Sequence, residues 1–267
     1  MEKRHFRKSV LPFSLCTLLT ANFLAGCCIN IDGCADRAKY ERIEHLSAPI
    51  TSGITLAVET HVGSISITGA DVSDCNITAA ICVKASTKEK AKKLAEQVKI
   101  KLEPGPDTLS IKVEKPAALE ERCLKVDFDI TAPRQLNLNC TADVGSTKVS
   151  DISGRIRASV DVGKITCKEI AGDVDLKTDV GKVRVVYSET ASAICNADIK
   201  TDVGKIDFTG PPNLSARLEA STDVGSIKTD LPITLTGEIS RKRLKGTIGT
   251  GEGNLRFKTN VGSINIR

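Results

Sequence analysis

The 267-residue chain contains no tryptophan, and aromatic residues make up only 3% of it. It therefore has few of the exposed rings that sugar-binding sites usually offer to their ligands. Its three histidines and the lack of a Gly-x-Ser-x-Gly sequence leave little for acid–base or nucleophilic chemistry. We expect a protein that is not an enzyme and that carries no cofactor.

Neither sign of charge is in large excess. The net charge is +5, and residues 1–26 account for +3 of it, which leaves only +2 for the remainder. A field this weak argues against a nucleic-acid partner.

Residues 1–26 have the features of a lipoprotein signal peptide. A basic start precedes an apolar stretch that is too short and too broken for a good membrane span. The stretch ends in Leu24-Ala25-Gly26-Cys27, which resembles the bacterial lipobox. We expect export to the bacterial cell envelope and a lipid on Cys27 that holds the protein to a membrane. The alternatives are lipidation of Cys28, or an ordinary signal peptide that ends near a cysteine.

Three further regions follow the signal peptide. Residues 27–47 are predicted to form a polar tether, residues 48–135 a first coil with an α+β cap, and residues 136–267 a repeat domain. Within the cap, an apolar stripe predicts a single helix over about residues 87–98. Ser86 and Glu89 have the spacing of a capping box at its start.

The repeat is a short box, usually Asp-Val-Gly followed by Lys or Ser, and it occurs seven times. From Gly145 to Gly225 successive box glycines are 18, 18, 23 and 21 residues apart. A period near 20 is typical of stacked repeats. The box glycines are Gly63, Gly145, Gly163, Gly181, Gly204, Gly225 and Gly262.

Alternation around each glycine predicts the shape of one repeat. Apolar or small residues stand seven, five and three places before the glycine, and valine always stands one place before it. Beyond the glycine, the apolar positions are two and four places on, so the buried phase shifts. The chain must therefore turn a corner there, which suits glycine. We predict an all-β right-handed parallel β-helix (β-solenoid), with the coil at 255–267 at its end and residues 230–254 covering it.

The aspartates of the boxes should form a column along the stack. Asp161, Asp179 and Asp202 are candidate metal ligands, because Ca²⁺ prefers several carboxylate oxygens. Each coil offers only one carboxylate, however, and lysine follows three places after each of these aspartates. We favour a structural corner without metal, in which each aspartate pairs with its own lysine: Lys164, Lys182 or Lys205.

A second candidate site is a run of four cations within five residues. Such a run could contact anionic lipid headgroups or acidic polysaccharide. The alternative is a solvated loop. The residues are Arg241, Lys242, Arg243 and Lys245.

Eight cysteines remain once Cys16 and Cys27 are set aside. Cys75 and Cys82 are seven residues apart in a predicted strand, so they are too distant to bond. Cys140, Cys167 and Cys195 occupy apolar repeat positions, which favours buried free thiols. The sequence leaves open which of the eight form disulfides.

The combination resembles the bacterial β-strand-repeat family known as putative adhesins, from about Ile54 to Arg267. The resemblance lies in the capped helix ending at Val98, in Val126-Asp127-Phe128-Asp129-Ile130 before Pro133, in the Val-Gly coils, and in the ending from Gly249. It implies a right-handed parallel β-helix in the cell envelope. The family has no established catalytic residues, so it supplies neither a catalytic site nor a ligand.

Three functions are compatible with these observations. The first is a non-catalytic, adhesin-like binding or scaffold surface for an unknown envelope or extracellular component. The second is a polysaccharide-acting β-helix enzyme. The third is a structural or stress-response envelope component without a dedicated ligand. A deep groove with converging carboxylates and cations would favour the enzyme, and evenly spaced ladders would favour the other two.

Overall fold

The computed structural model describes residues 37–51, 53–235 and 240–267. The signal peptide, Cys27 and the start of the tether lie outside these residues. Within them, no helix has the length and apolar character needed to span a membrane. The fold is all-β with one α-helix, α1 (Lys88–Gln97).

Fourteen strands and one short 3-10 helix (Glu121–Cys123) form the rest of the regular structure in the described residues. In chain order the strands are β1 (Ala38–Pro49), β2 (Thr55–Ala70), β3 (Asp74–Ala85), β4 (Lys99–Pro104), β5 (Thr108–Glu114), β6 (Leu124–Pro133), β7 (Asn137–Ser150), β8 (Ile156–Ile170), β9 (Val174–Tyr187), β10 (Asn196–Thr209), β11 (Ala216–Thr229), β12 (Thr234–Leu235), β13 (Arg243–Ile248) and β14 (Gly253–Ile266).

Each box lies inside one long strand that bends at its glycine. These box strands pair in parallel in the order β2, β7, β8, β9, β10, β14, β11. Identical repeat positions face each other across every pair, as Gly145 faces Gly163 and Gly163 faces Gly181. The repeats therefore stack in register, and each repeat position becomes a column that runs along the stack.

The spatial order of the strands differs from their order in the chain. The last strand, β14, lies between β10 and β11 instead of at the end of the stack. The prediction that residues 255–267 form the terminal coil is therefore wrong. The prediction that residues 230–254 cover this coil is wrong as well, because β13 pairs with β11 and β12 pairs with β13.

Antiparallel strands flank the parallel stack at both ends. At one end β5 and β6 pair in parallel with β2, and the antiparallel pairs are β3 with β6, β1 with β3, and β4 with β5. At the other end β13 pairs antiparallel with β11. The sheet is therefore mixed, and a wholly parallel arrangement is not what the structure has. β1 also begins at Ala38, which shortens the region predicted to be a tether.

The helix belongs to the N-terminal end, as predicted, and its bounds are one residue inside the expected ones at each side. Its N-cap is Thr87 rather than Ser86, since the Thr87 hydroxyl accepts a hydrogen bond from the amide of Lys90 at 3.2 Å. Arg42 on β1 donates to the carbonyl of Ala95 at 2.9 Å and also to that of Val98. The helix end is thereby fixed to the edge strand.

The core is a column of aliphatic side chains enclosed by the bent strands. Ile165, Val183 and Ile206 are fully buried at equivalent positions on β8, β9 and β10. Three of the five aromatic residues in the described part of the chain lie together, with the Phe208 ring 5.8 Å from Tyr187 and 4.9 Å from Phe257 between ring centres. This regular, tightly filled interior holds the outward-facing columns in fixed positions.

Candidate functional site

The box glycines form the corner of every repeat, as the phase shift predicts. All seven have positive φ angles, from 146° at Gly63 to 158° at Gly204. A Cβ on Gly181 would lie 1.6 Å from the carbonyl oxygen of Gly163 on the next strand. No other residue fits so close an approach, so glycine is required by both backbone conformation and space.

The buried phase changes across the glycine as expected. On β9, Leu176 and Thr178 face inward before the corner, and Val183 and Val185 face inward after it. The structure therefore divides each box strand into a first arm, before the glycine, and a second arm, after it.

The valine one place before each glycine does not belong to the buried set. Alternation predicts an inward side chain, but five of these valines are 45–60% exposed and the other two are half-buried. The bend begins at this residue and turns its side chain outward. We call the resulting column the valine ridge; in stack order it comprises Val62, Val144, Val162, Val180, Val203, Val261 and Val224.

The predicted pairing of each aspartate with its own lysine is wrong. Lys182 and Lys205 both turn to Asp207, with Nζ–Oδ distances of 2.7 and 2.8 Å. Burial by itself would raise the pKa of Asp207, but hydrogen bonds from both lysines and from Asn265 lower that pKa to about 2.

The column of aspartates is present but forms no metal cluster in the described part of the chain, where no three metal-binding side chains are grouped. Asp179 pairs with Lys177 at 3.3 Å, and Asp202 accepts a hydrogen bond from Asn260 at 3.3 Å. For Asp161 and Asp223 the described residues supply no ion pair. That the corner works without metal remains a prediction.

His61 takes the aspartate position in the first box and is an exposed corner residue. Its Nδ1 lies 2.8 Å from a carboxylate oxygen of Asp143 on the adjacent strand. This hydrogen bond raises the pKa of His61 above its usual value. The first two members of the column therefore attract each other, which favours pairing of β2 with β7.

Buried threonines add a column that the sequence reading did not identify. Three places before the glycine, Thr60, Thr178, Thr201, Thr222 and Thr259 are almost completely buried. The Thr222 hydroxyl donates to the carbonyl of Gly262 at 3.1 Å, and that of Thr259 donates to Gly204 at 3.3 Å. The sequence does contain a signal for this column, because five of the seven repeats have threonine at the same position. A hydroxyl at that position can reach the corner backbone of the next strand.

The four clustered cations lie at the β11 end of the stack, where β13 begins, and all are exposed. Within the described residues none of the four has an ion pair. Lys245 faces Glu219 in the strand register, and it is the member of the run that lines a groove.

This groove has a volume of 590 Å³ and crosses the outer faces of the first arms from β9 to β13. Both charge signs line it, and none of its lining residues is aromatic or histidine. Asp175 pairs with Arg157 at 3.3 Å, and Asp198 pairs with Lys200 at 3.2 Å. The lining includes Asp173, Asp175, Asp198, Arg217, Lys245 and Arg256.

The cysteines behave largely as the repeat pattern predicts. Cys75, Cys82, Cys140, Cys167 and Cys195 are buried thiols, whereas Cys123 is disulfide-bonded. Burial raises the pKa of the Cys75 and Cys140 thiols to about 12. These thiols are packing groups and are poorly suited to nucleophilic chemistry.

No protein-family model and no curated protein matches the sequence. Among solved structures, a putative cell adhesion protein from Clostridium sporogenes matches with a TM-score of 0.52 and 14% identity over 84% of this chain and 99% of that one. A putative adhesin from Bacteroides fragilis matches with a TM-score of 0.36 and 14% identity over 85% and 97%. A putative lipid binding protein from Parabacteroides distasonis gives 0.24 and 13% over 84% and 96%. The first of these likenesses shows a shared fold, and at this identity it shows no more than that.

Proposed function

We propose that this chain is an exported, lipid-anchored envelope protein whose repeat stack presents a non-catalytic, adhesin-like binding surface. The name of the Clostridium sporogenes protein, which has the same fold, supports the class. The resemblance of residues 24–27 to a lipobox supports the anchor on Cys27. The partner is another envelope or extracellular component.

The observation that carries this proposal is the groove. It is built from outward positions of adjacent strands, which the register keeps in straight columns, so its charged groups are evenly spaced. Its carboxylates Asp175 and Asp198 already have basic partners. Such a surface suits a polar ligand that presents both charge signs along its length.

We also propose that the stack is a right-handed β-solenoid. In support, seven bent strands stack in parallel and each has one corner, as successive coils of a solenoid would. β1, β3–β6 and α1 would then be its α+β cap. The cap lies on the side of the predicted tether, and the groove lies toward the opposite end.

The position of the clustered cations narrows the choice of anionic contact. Arg241, Lys242, Arg243 and Lys245 lie at the end of the stack away from β1. With Cys27 anchored on the β1 side, they would face away from the protein's own membrane. An acidic polysaccharide or another surface fits this position better than the lipid headgroups around the anchor.

Binding is tested with the full-length protein in detergent, incubated with envelope extract. We expect the double variant Arg217→Glu/Lys245→Glu, in the groove, to capture its partner at least about tenfold less well than the parent. The matched control is Lys148→Glu/Lys228→Glu, which makes the same charge change on second arms. Equal capture by both double variants would refute the groove as the binding surface.

The anchor is tested separately by Cys27→Ser. Without the lipid, the protein should move from the membrane fraction to the soluble fraction. If Cys27→Ser stays in the membrane fraction, the lipid anchor is not at this residue.

One observation favours the polysaccharide-acting enzyme as a second candidate. Asp175 and Asp198 face each other on adjacent strands inside the groove, and glycosidases use two neighbouring carboxylates. An enzyme of this kind would release new reducing ends from envelope polysaccharide and would lose that activity in Asp198→Asn. Binding without product supports the non-catalytic role.

A further inference from the structure

The valine ridge has opposite charges on its two sides. Lys177, two places before Asp179, pairs with it at 3.3 Å, which places the aspartate column on the outer face of the first arms. Lys182 lies beyond the corner and reaches Asp207 on the neighbouring second arm at 2.7 Å. The ridge is therefore an apolar strip with acidic groups on one flank and basic groups on the other.

The two flanks are matched level by level. The adjacent strands β8, β9 and β10 each carry one aspartate and one lysine beside the ridge. The other box strands carry serine at the lysine position. The three levels with both charges are Asp161 with Lys164, Asp179 with Lys182, and Asp202 with Lys205.

We propose that the valine ridge is the contact surface for a second copy of this chain, arranged side by side and parallel about a two-fold axis along the stack. That rotation keeps every strand at its own level and exchanges the flanks. Asp161 then faces Lys164 of the partner subunit. Of the three levels, only this one has both charges without an ion pair in the described chain, because Lys182 and Lys205 at β9 and β10 are already bonded to Asp207. The ridge is thus complementary to itself both in apolar character and in charge.

An antiparallel pair lacks this complementarity. A two-fold axis across the ridge leaves each flank on its own side, so aspartate columns face each other and lysine columns face each other. Like charges at such close range are unfavourable. The parallel pair also places both N-terminal caps at the same end, which is the arrangement that the proposed anchoring on one membrane requires.

The size of the ridge determines how tightly two copies of the chain are expected to bind each other. Seven strands spaced about 4.8 Å apart give a contact roughly 30 Å long and one valine wide. The valines that line it are half exposed in the single chain, with values from 45% to 60% for the five most exposed. An interface of this size belongs to the weak, reversible class. Attachment to one membrane would raise the effective concentration and favour the pair.

The arrangement is tested with variants of the full-length protein that each add one cysteine on the ridge, crosslinked through a short bismaleimide. In a parallel pair each ridge residue meets its own copy, so Val162→Cys and Val261→Cys should both give dimers. The two positions lie three strands apart, about 14 Å, so an antiparallel pair brings at most one of them against itself. The matched control is Lys168→Cys, at an exposed position on the second arm of β8. It should give no more crosslinked dimer than the parent protein.

Charge exchange supplies the second measurement. In the Val203→Cys background, Asp161→Lys or Lys164→Asp alone should reduce the crosslinked dimer about threefold or more, and mixing the two variants should restore it as the heterodimer. Neither side chain has an ion pair in the described structure, so these changes remove no ion pair from the fold.

Dimers from only one ridge position, equal crosslinking of Lys168→Cys, or no recovery in the mixture would overturn the proposal. None of these results depends on the groove or on Cys27. The dimer can therefore fail while the proposed function stands, and the reverse also holds.

Discussion

Lys182 bonds to Asp207 on the next strand and leaves Asp179, three residues before it in its own box, to Lys177. The corner at Gly181 explains why Lys182 pairs with Asp207 and not with Asp179. It places Asp179 and Lys182 on different arms, whereas Lys182 and Asp207 lie on the outer face of adjacent second arms. Ion pairs in this stack therefore run between repeats or along one arm, and they reinforce strand pairing instead of closing the corner.

The first prediction concerns Asp207 and acid. Its folded-state pKa of about 2 lies below the ordinary 3.8, so its contribution to stability is present above about pH 4 and is lost as the pH falls toward 2. Asp207→Asn should lower the free energy of unfolding by about 1–2 kcal/mol at pH 7, after allowance for solvent screening. The difference from the parent should shrink to nearly zero at pH 2. Urea titrations at pH 7, 4 and 2 measure it.

Asp230→Asn is the matched control, because that carboxylate is 77% exposed and has one ion pair among the described residues, at 3.5 Å. It should change stability little at any of the three pH values. A penalty for Asp207→Asn that persists unchanged at pH 2 would show that charge is not its cause.

The second prediction concerns a corner glycine. Gly181→Ala places a methyl group 1.6 Å from the carbonyl oxygen of Gly163, at a φ of 157°. The two stacked corners must separate, and we expect a loss of more than about 3 kcal/mol or failure to fold. Gly105→Ala, in a turn where the nearest contact is 3.3 Å, should change the melting temperature little. Similar melting temperatures for the two variants would contradict the role of the corner.

The third prediction concerns the aromatic cluster. Phe257 on β14 is almost fully buried, and its ring centre lies 4.9 Å from that of Phe208. Phe257→Ala leaves a cavity in the middle of the stack and should cost about 3–5 kcal/mol, whereas Phe257→Leu should cost clearly less. Chemical denaturation of both variants gives the comparison. Equal losses would indicate that ring volume is not what stabilises this layer.

The fourth prediction concerns calcium. The aspartate column has no group of three ligands in the described residues, so neither calcium nor EDTA should shift the melting temperature. The measurement is thermal unfolding with millimolar calcium or with EDTA. An EDTA-sensitive transition that Asp161→Asn/Asp202→Asn abolishes would restore the metal interpretation.

The fifth prediction concerns the buried thiols. Cys140 has a pKa of about 12 because it is buried, so it is almost entirely protonated at pH 8. Cys140 should not react with a thiol reagent in the folded protein and should react at once in urea. Comparison with the Cys140→Ser variant shows which part of the labelling comes from Cys140. Fast labelling of Cys140 in the folded state would show that the core opens locally.

The sequence was sufficient for the parts of the fold that depend on local pattern. The alternation around Gly181 predicts which side chains are buried on either arm, and the stripe before Val98 predicts the helix to within one residue. Val180 shows the limit. Its position in the alternation predicts burial, but the geometry of the bend decides the outcome and turns it outward.

The sequence does not predict which repeats pair with each other, and the reason is physical. Every box strand presents the same columns to its neighbours, so β10 could pair equally well with β11 or β14 as judged from local residues. The Lys182–Asp207 pair was missed for the same reason, because it depends on which strands are adjacent. The groove also depends on that order, since Arg256 of β14 lies between residues of β10 and β11 only in the folded stack.

The location of β14 has a consequence for how the protein is made. A chain that emerges from its N-terminus could assemble β7 to β10 one after another, but β11 and β13 cannot reach their final places until β14 has appeared. In the interval, β10 and β11 expose matching edges that can pair directly with each other, and β14 would then have to separate them. Assembly of the far end of the stack therefore waits for β14, and a chain without β14 would leave the edges of β10 and β11 unpaired with their native partner.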